Sequence, residues 1–444
     1  MRKRFLANSP NTVFHAEEAR RAHSHTLRID KAGHHCFPPT PPAMTRTDVA
    51  GPSTRPTALG GYEDWPVYLA SHRHEADSPE RRDLADILGV PAIASGHSYT
   101  THRETEHDGV ITSSLSWQLG FGPRTAAWFV RPAQVTGPLP AVLALHCHGG
   151  IKFYGAERLV ALQNQPGQPA GHDAGIPPLE IRASLYGGRA LATWLAQQGF
   201  AVLAHDAFMW GSRRFVLDPL PRRAATAVDG QQALWREAGV EPSAQQRYDA
   251  AAAVHEETVA KAAALMGTTI AGTVAHDDLA ALGILATLPG VDRDRIACLG
   301  FSGGGGRALM LAALSPVIRS YVVTCMMTTF ASLLPAYLDA HSWLLHSPGL
   351  AKLGDWPDLA TRSPARVLVQ YAMADALFPE QGMRDAHAHL SRQLPRGLYT
   401  GSFWQEPHVF TPAMQEEAAA FLATSLQPRH RINSPLPDRT RTDS

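Results

Sequence analysis

With 444 residues, 44% of them hydrophobic, the chain can fill one large α/β core or two smaller ones. Lys+Arg and Asp+Glu are equal at 40 each, a balance that offers no broad positive field to nucleic acid or to an anionic membrane surface. No apolar run reaches the roughly 18 residues of a membrane span, and the basic opening MRKRFLANSPNTVFHAEEAR lacks the apolar stretch of a secretory leader.

Residues 1–58 are rich in Arg, His, Pro and Thr without periodicity, the composition of a disordered extension, and Met44 within them is a candidate start of translation. The histidines His15, His23, His25, His34 and His35 read as functionally idle, not as a metal site. Folded structure is expected over 59–426, with a second disordered tail over 427–444. Cys36, Cys147, Cys298 and Cys325 are widely spaced. They read as reduced thiols of a cytoplasmic protein, not as a disulfide framework.

Within the folded part, VITSSLSWQLGFG and TAAWFVRPA predict paired antiparallel strands. LPAVLALHCHGG is a continuous apolar run into glycines, as in a strand buried on both faces. SLYGGRALATWLAQQG has helical spacing and reaches a C-terminal cap at Gly199, after which FAVLAHDAF predicts another buried strand. A long helical region covers QQRYDAAAAVHEETVAKAAALMG and AHDDLAALGILATLPG. The strand RIACLG, the helix after it, the strands IRSYVVTC, ARVLVQYAMAD and GLYTGSFW, and the helix PAMQEEAAAFLATSL complete the order. This alternation predicts a mostly parallel sheet with helices on both faces.

The junction GFSGG, Gly300 to Gly304, fits G-x-S-x-G between a strand and a helix. A sharp reversal there would leave Ser302 strained and its hydroxyl exposed, with Gly300 and Gly304 removing side chains that would collide. Gly305 and Gly306 would let the helix pack close to the sheet. The plainer alternative is a glycine-rich turn that binds phosphate or only packs. A serine hydroxyl needs a base, and the base needs an orienting acid. In this chain order both should follow the serine. His408 in EPHVF and Asp375 in YAMADALFP each sit just past a strand, His408 as base and Asp375 as acid, with Asp339 as rival acid. His387 and His389 read as surface helix residues, and Asp206 and Asp278 as structural acceptors.

LHCHGG, His146 to Gly150, follows the first buried strand, where a backbone N–H should complement the one after the nucleophile. The two oxyanion donors are assigned to the amides of His148 and Gly303. His146 and His148 stand at i, i+2 on one strand face, but no Asp, Glu or Cys set completes a zinc shell at a recognisable spacing. Cys147 lacks an elbow and is not read as a nucleophile.

On LHCHGG, VLAHDAFMWGSRR, GFSGG, ADALFP and EPHVF, the chain over roughly residues 105–425 resembles the α/β-hydrolases, and within them the dienelactone hydrolase and acetyl xylan esterase-like group. The resemblance implies an α/β-hydrolase fold: a mostly parallel central sheet with helices on both faces, antiparallel N-terminal strands and helical lid-like insertions. It also implies a Ser302–His408–Asp375 triad that hydrolyses a carboxylic ester of a small molecule without cofactor. Three departures separate the chain from the named groups: serine replaces the dienelactone hydrolase cysteine, Gly303 stands where xylan deacetylases carry Gln, and the R-G-Q-G-G loop of those deacetylases is not apparent.

Two insertions, 215–246 and 326–356, could cover the site. Phe330, Tyr337, Trp343 and Trp356 in the second suit an apolar pocket or ordinary packing. Tyr154, Trp210 and Arg213 are the candidate substrate contacts, with Lys152 beside Tyr154. Arg213 and Arg214 suit a substrate carboxylate or a structural ion pair. Acyl transfer, peptide or amide cleavage with the same triad, a silent scaffold and a homo-oligomeric state all stay open.

Overall fold

Alternating residues in 110–132 followed by continuous apolar runs call for a sheet covered on one face at its edge and on both faces at its centre. The computed structural model describes residues 59–72, 78–93, 98–135, 137–162, 179–334 and 336–428. Residues 1–58, Cys36 among them, and the tail beyond 428 lie outside the described residues.

Two helices, α1 (Trp65–Ser71) and α2 (Pro79–Leu88), come first. The sequence reading passed over α2 although its signals are complete: Ser78 Oγ accepts from the Arg81 N–H, Pro79 stands at the first position, and Gly89 closes the helix at φ 61°. β1 (Tyr99–His107) is also unforeseen, because YTTHRETEH has no apolar face; it is a charged, largely exposed edge strand. β2 (Val110–Trp117) and β3 (Thr125–Pro132) are antiparallel neighbours, as expected. The rest of the chain runs β4 (Leu139–Leu145), α3 (Leu179–Leu185), α4 (Leu191–Gln197), β5 (Ala201–His205), α5 (Arg222–Glu237), α6 (Ala244–Leu265), α7 (Ile270–Leu285), β6 (Val291–Phe301), α8 (Gly303–Leu314), β7 (Ile318–Thr324), α9 (Phe330–Leu333), α10 (Trp356–Ala360), β8 (Arg366–Ala372), α11 (Glu380–Gln393), β9 (Tyr399–Trp404) and α12 (Pro412–Ser425).

Among the described residues the sheet has nine strands in the order β1-β2-β3-β5-β4-β6-β7-β8-β9. Pairing is antiparallel as far as β5 and parallel from there on. Register sorts the core into two faces. Leu203, Leu143, Cys298, Tyr321 and Val367 form one row across five strands and pack beneath α7 and α8. Ala204, Ala144, Leu299, Val322 and Leu368 form the next row on the opposite face, with α4 and α12. Each buried Leu or Val of these rows contributes about 1.5–3 kcal/mol.

The helix expected over 184–199 is instead two. Gly187 and Gly188, at φ 58° and 80°, break it between α3 and α4, although Gly199 does close α4 at φ 96°. The long helical region likewise divides into α6 and α7, which meet at 84°. Thr269 Oγ1 caps the second of them by accepting from the Gly272 N–H at 2.8 Å. No single described helix is long and apolar enough to cross a membrane.

Candidate active site

The parallel strands point their C-terminal ends toward one rim, where ligands gather in open α/β sheets. β6 delivers Ser302 there, between strand and helix, at φ 57° and ψ −123°, a conformation side chains rarely adopt. Its N–H donates to Thr324 O at 2.8 Å, and its carbonyl accepts from Gly305 and Gly306. The glycine spacing is steric. A Cβ on Gly300 would lie 2.0 Å from Gly304 O, and one on Gly304 would lie 2.2 Å from Leu145 O. Gly305 meets the sheet at Thr324 O as expected, but Gly306 makes room for Leu345 of the second insertion instead.

His408 lies between β9 and α12. Its Nε2 accepts from Ser302 Oγ at 2.8 Å, and its Nδ1 donates to Asp375 Oδ2 at 2.6 Å. Asp375 follows β8, its side chain buried, and its other oxygen accepts from the Leu377 N–H at 2.8 Å. Phe301 and Phe378 flank the imidazole, with ring centroids 4.8 and 6.0 Å away. The structure thus brings Ser302, His408 and Asp375 together. Asp339 sits in an exposed 3-10 turn, and both His408 nitrogens are already engaged. His387 is half-buried against Tyr399, and His389 Nε2 lies 2.7 Å from a carboxylate oxygen of Asp358.

β4 ends in the loop that faces the serine. Gly149 and Gly150, at φ 63° and 66°, turn it. A Cβ on Gly303 would stand 3.1 Å from the His148 nitrogen, so the two backbones are in close contact. Among the described residues neither the His148 nor the Gly303 N–H donates to a protein acceptor, and Gly303 directly follows Ser302. The two rings of this loop diverge: His146 Nδ1 donates to Cys147 O at 3.0 Å, whereas His148 Nε2 donates to Glu256 Oε2 at 3.3 Å.

Buried charges support the loop and the chain around it. Burial alone would raise the pKa of Glu256, but the Lys152 ammonium and His148 hold it well below the usual carboxylate range. Glu256 also accepts from Ser342 Oγ at 2.5 Å and from the Trp343 N–H at 2.8 Å, tying the second insertion to the oxyanion loop. From α8, Arg307 donates to His146 O at 3.1 Å while pairing with Asp278 of α7 at 2.6 Å. Asp206 accepts from the Ala156 and Ser212 N–H groups at 2.8 and 2.7 Å. Burial, then Glu157, pushes its pKa up to about 7. Asp206 and Asp278 are thus structural acceptors.

Of the substrate candidates, Arg213 is corrected. It is fully buried, pairs with Asp277 at 3.2 Å, and donates to Phe121 O and Pro123 O at 2.9 and 2.5 Å. No face of it is open to a ligand carboxylate. Trp210 is buried beneath the loop, its ring 5.3 Å from that of His148, so it forms a floor and not a wall. Lys152 is likewise buried, on Glu256. Tyr154 is half-buried beside Phe153, 5.0 Å between rings. In the second insertion Phe330 and Trp356 pack on each other, Trp343 is 40% exposed, and Leu344 reaches 3.1 Å from a Cβ position on Gly303. Sequence reasoning missed Glu256, Leu344, Arg158 and Arg307. For Arg307 alone, the single charge inside the apolar helical stretch GGGGRALMLAAL was an available signal.

No family model matches the chain. A curated relative, "Putative hydrolase YtaP" of Bacillus subtilis (strain 168), is 25% identical over 348 residues, 77% of this chain and 97% of its own. Among solved structures, a glucuronoyl esterase from Solibacter usitatus superposes with a TM-score of 0.53 at 14% identity, covering 78% of this chain and 92% of that one. A "putative acetyl xylan esterase" from Bacteroides fragilis NCTC 9343 superposes with a TM-score of 0.52 at 14% identity, covering 77% and 81%. The chain has the α/β-hydrolase fold.

Proposed function

We propose that this protein is a serine esterase that cleaves a carboxylic ester of a small molecule through an acyl-enzyme. One observation carries the reading: an unbroken line of hydrogen bonds runs from Asp375 through His408 to Ser302, at 2.6 and 2.8 Å. It ends on a hydroxyl held at a strained strand-to-helix turn. As Ser302 Oγ bonds to the ester carbonyl carbon, its proton passes to His408 Nε2, and the carbonyl oxygen takes the negative charge. The His148 and Gly303 N–H groups receive that oxyanion, each worth about 3 kcal/mol in the transition state. Asp375 holds the Nδ1–H tautomer and stabilises the imidazolium. The imidazolium then protonates the departing alcohol as the C–O bond breaks. Water, giving its proton to His408, attacks the acyl carbon, and Ser302 leaves with its proton restored.

The relative named a hydrolase and the solved neighbours named as esterases support this reading. We extend it to a cytoplasmic enzyme on the strength of Cys147, Cys298 and Cys325, which are buried free thiols. Ser302→Ala tests the reading against a panel of p-nitrophenyl esters, with thermal melting to show that the variant is folded. Turnover should drop to background; a folded variant with unchanged rates overturns it.

A further inference from the structure

Cys147 and His148 share one planar peptide, and the orientation of that plane decides whether the loop has an oxyanion donor. In a trans peptide the C=O and N–H point in opposite directions. Whatever holds Cys147 O therefore aims the His148 N–H.

Arg158 holds it. This side chain, fully buried, comes from the 3-10 turn Ala156–Leu159 that follows the loop. Its Nη1 donates to Cys147 O at 3.0 Å and lies 3.4 Å from both His148 O and Cys147 Sγ. Nη2 donates to Ile151 O at 3.0 Å and Tyr154 O at 2.5 Å, and Nε to Gly155 O at 2.9 Å. The planar fork thus gathers carbonyls from one stretch, 147–155, onto its own side. Resting on the esterase reading above, we infer that Arg158 is the positioning residue of the oxyanion hole. It draws Cys147 O away from the nucleophile and thereby turns the His148 N–H toward Gly303 and Ser302.

Two further features agree with this role. A Cβ on Gly149 would come within 2.9 Å of Arg158 Nη1, so glycine there serves the close approach of the guanidinium as well as the φ of 63°. A flipped peptide would aim a carbonyl oxygen at the developing oxyanion and leave a buried guanidinium N–H without its acceptor, a costly combination. Lysine cannot substitute. Its three donors radiate from one nitrogen and do not span carbonyls from residue 147 to residue 155.

The test is Arg158→Lys, with its fold checked by thermal melting. Loss of one oxyanion donor lowers kcat by about 10²–10³. For p-nitrophenyl acetate we expect that loss in kcat, with KM changed less than about three-fold, since the amide is used only in the transition state. Affinity for phenylboronic acid, which forms a tetrahedral adduct on the serine, should fall by a factor similar to that in kcat. A folded variant with wild-type kcat, a loss confined to KM, or unchanged boronic acid affinity overturns the role. If Arg158→Lys does not fold, Arg158→Gln, whose amide reaches one carbonyl but cannot span 147 to 155, is read with the same readouts and outcomes. The two failures are distinct: an active Ser302→Ala removes the esterase reading, whereas an active Arg158→Lys removes only the role of Arg158.

Discussion

Glu256→Gln should leave a cation stranded in the interior. Lys152 and Glu256 side chains are only 6% and 8% exposed, and the ammonium's other acceptor is Ala252 O at 3.3 Å. Removing one partner of a buried ion pair costs about 3–5 kcal/mol. The amide oxygen of Gln can still accept from Ser342 and Trp343, so the lower end, about 3 kcal/mol, is expected at pH 7. The pH dependence gives a signature. Burial opposes ionisation of Glu256, but Lys152 and His148 more than offset it and depress its pKa in the folded state. The stabilisation is therefore present above the unfolded value of about 4.3 and is lost as pH falls toward the folded one. Urea unfolding at pH 7 and at steps downward from pH 5 measures this. The gap between wild type and variant should narrow as the wild-type carboxylate gains its proton. Adding Lys152→Met should restore most of the loss, because no buried charge remains. A gap below about 0.5 kcal/mol at pH 7, or one that stays constant from pH 5 to pH 3, refutes the reasoning.

Three more outcomes follow from the same geometry. Gly304→Ala puts a Cβ 2.2 Å from Leu145 O and 2.9 Å from His146 O; this backbone at the end of β4, held in the centre of the sheet, cannot retreat, so a loss of at least 1–3 kcal/mol, roughly, should appear in thermal melts, and a wild-type melt contradicts it. Asp206, raised to about 7 by burial and then by Glu157, favours the folded state below its unfolded pKa of about 3.9 and loses that contribution as pH rises to about 7. Wild-type stability in urea should thus fall more steeply between pH 4 and 7 than that of Asp206→Asn, and equal slopes contradict it. Leu344→Ala clears space beside Gly303; the ratio of kcat/KM for hexanoyl over acetyl esters should rise about ten-fold or more, and an unchanged ratio contradicts it.

Much of this site was legible from residue order. Ser302 announces itself because glycines at 300 and 304 have a steric reason written into their spacing. His408 and Asp375 sit at strand ends that hydrophobic runs already locate. The row of Leu143, Cys298 and Tyr321 follows from apolar strands that need cover on both faces. What escaped depends on distance across the chain. Glu256 meets Lys152 over 104 positions, and no local period marks such a pair. Arg158 binds carbonyls, which every residue carries, so its partners leave no trace in side-chain identity. Arg213 illustrates the opposite hazard: an arginine beside a strand end suggests an anion site, but three-dimensional packing assigns it Asp277 and the carbonyls of Phe121 and Pro123. β1 was hidden because an edge strand needs no apolar face.

The most direct measurement is rapid-quench mass spectrometry of the protein mixed with p-nitrophenyl acetate, with the peptides mapped after digestion. We expect an acetyl group on the peptide carrying Ser302, formed as nitrophenol is released and lost as acetate appears. Full turnover with no acetyl on that peptide, or with the acetyl on another residue, contradicts a nucleophilic Ser302.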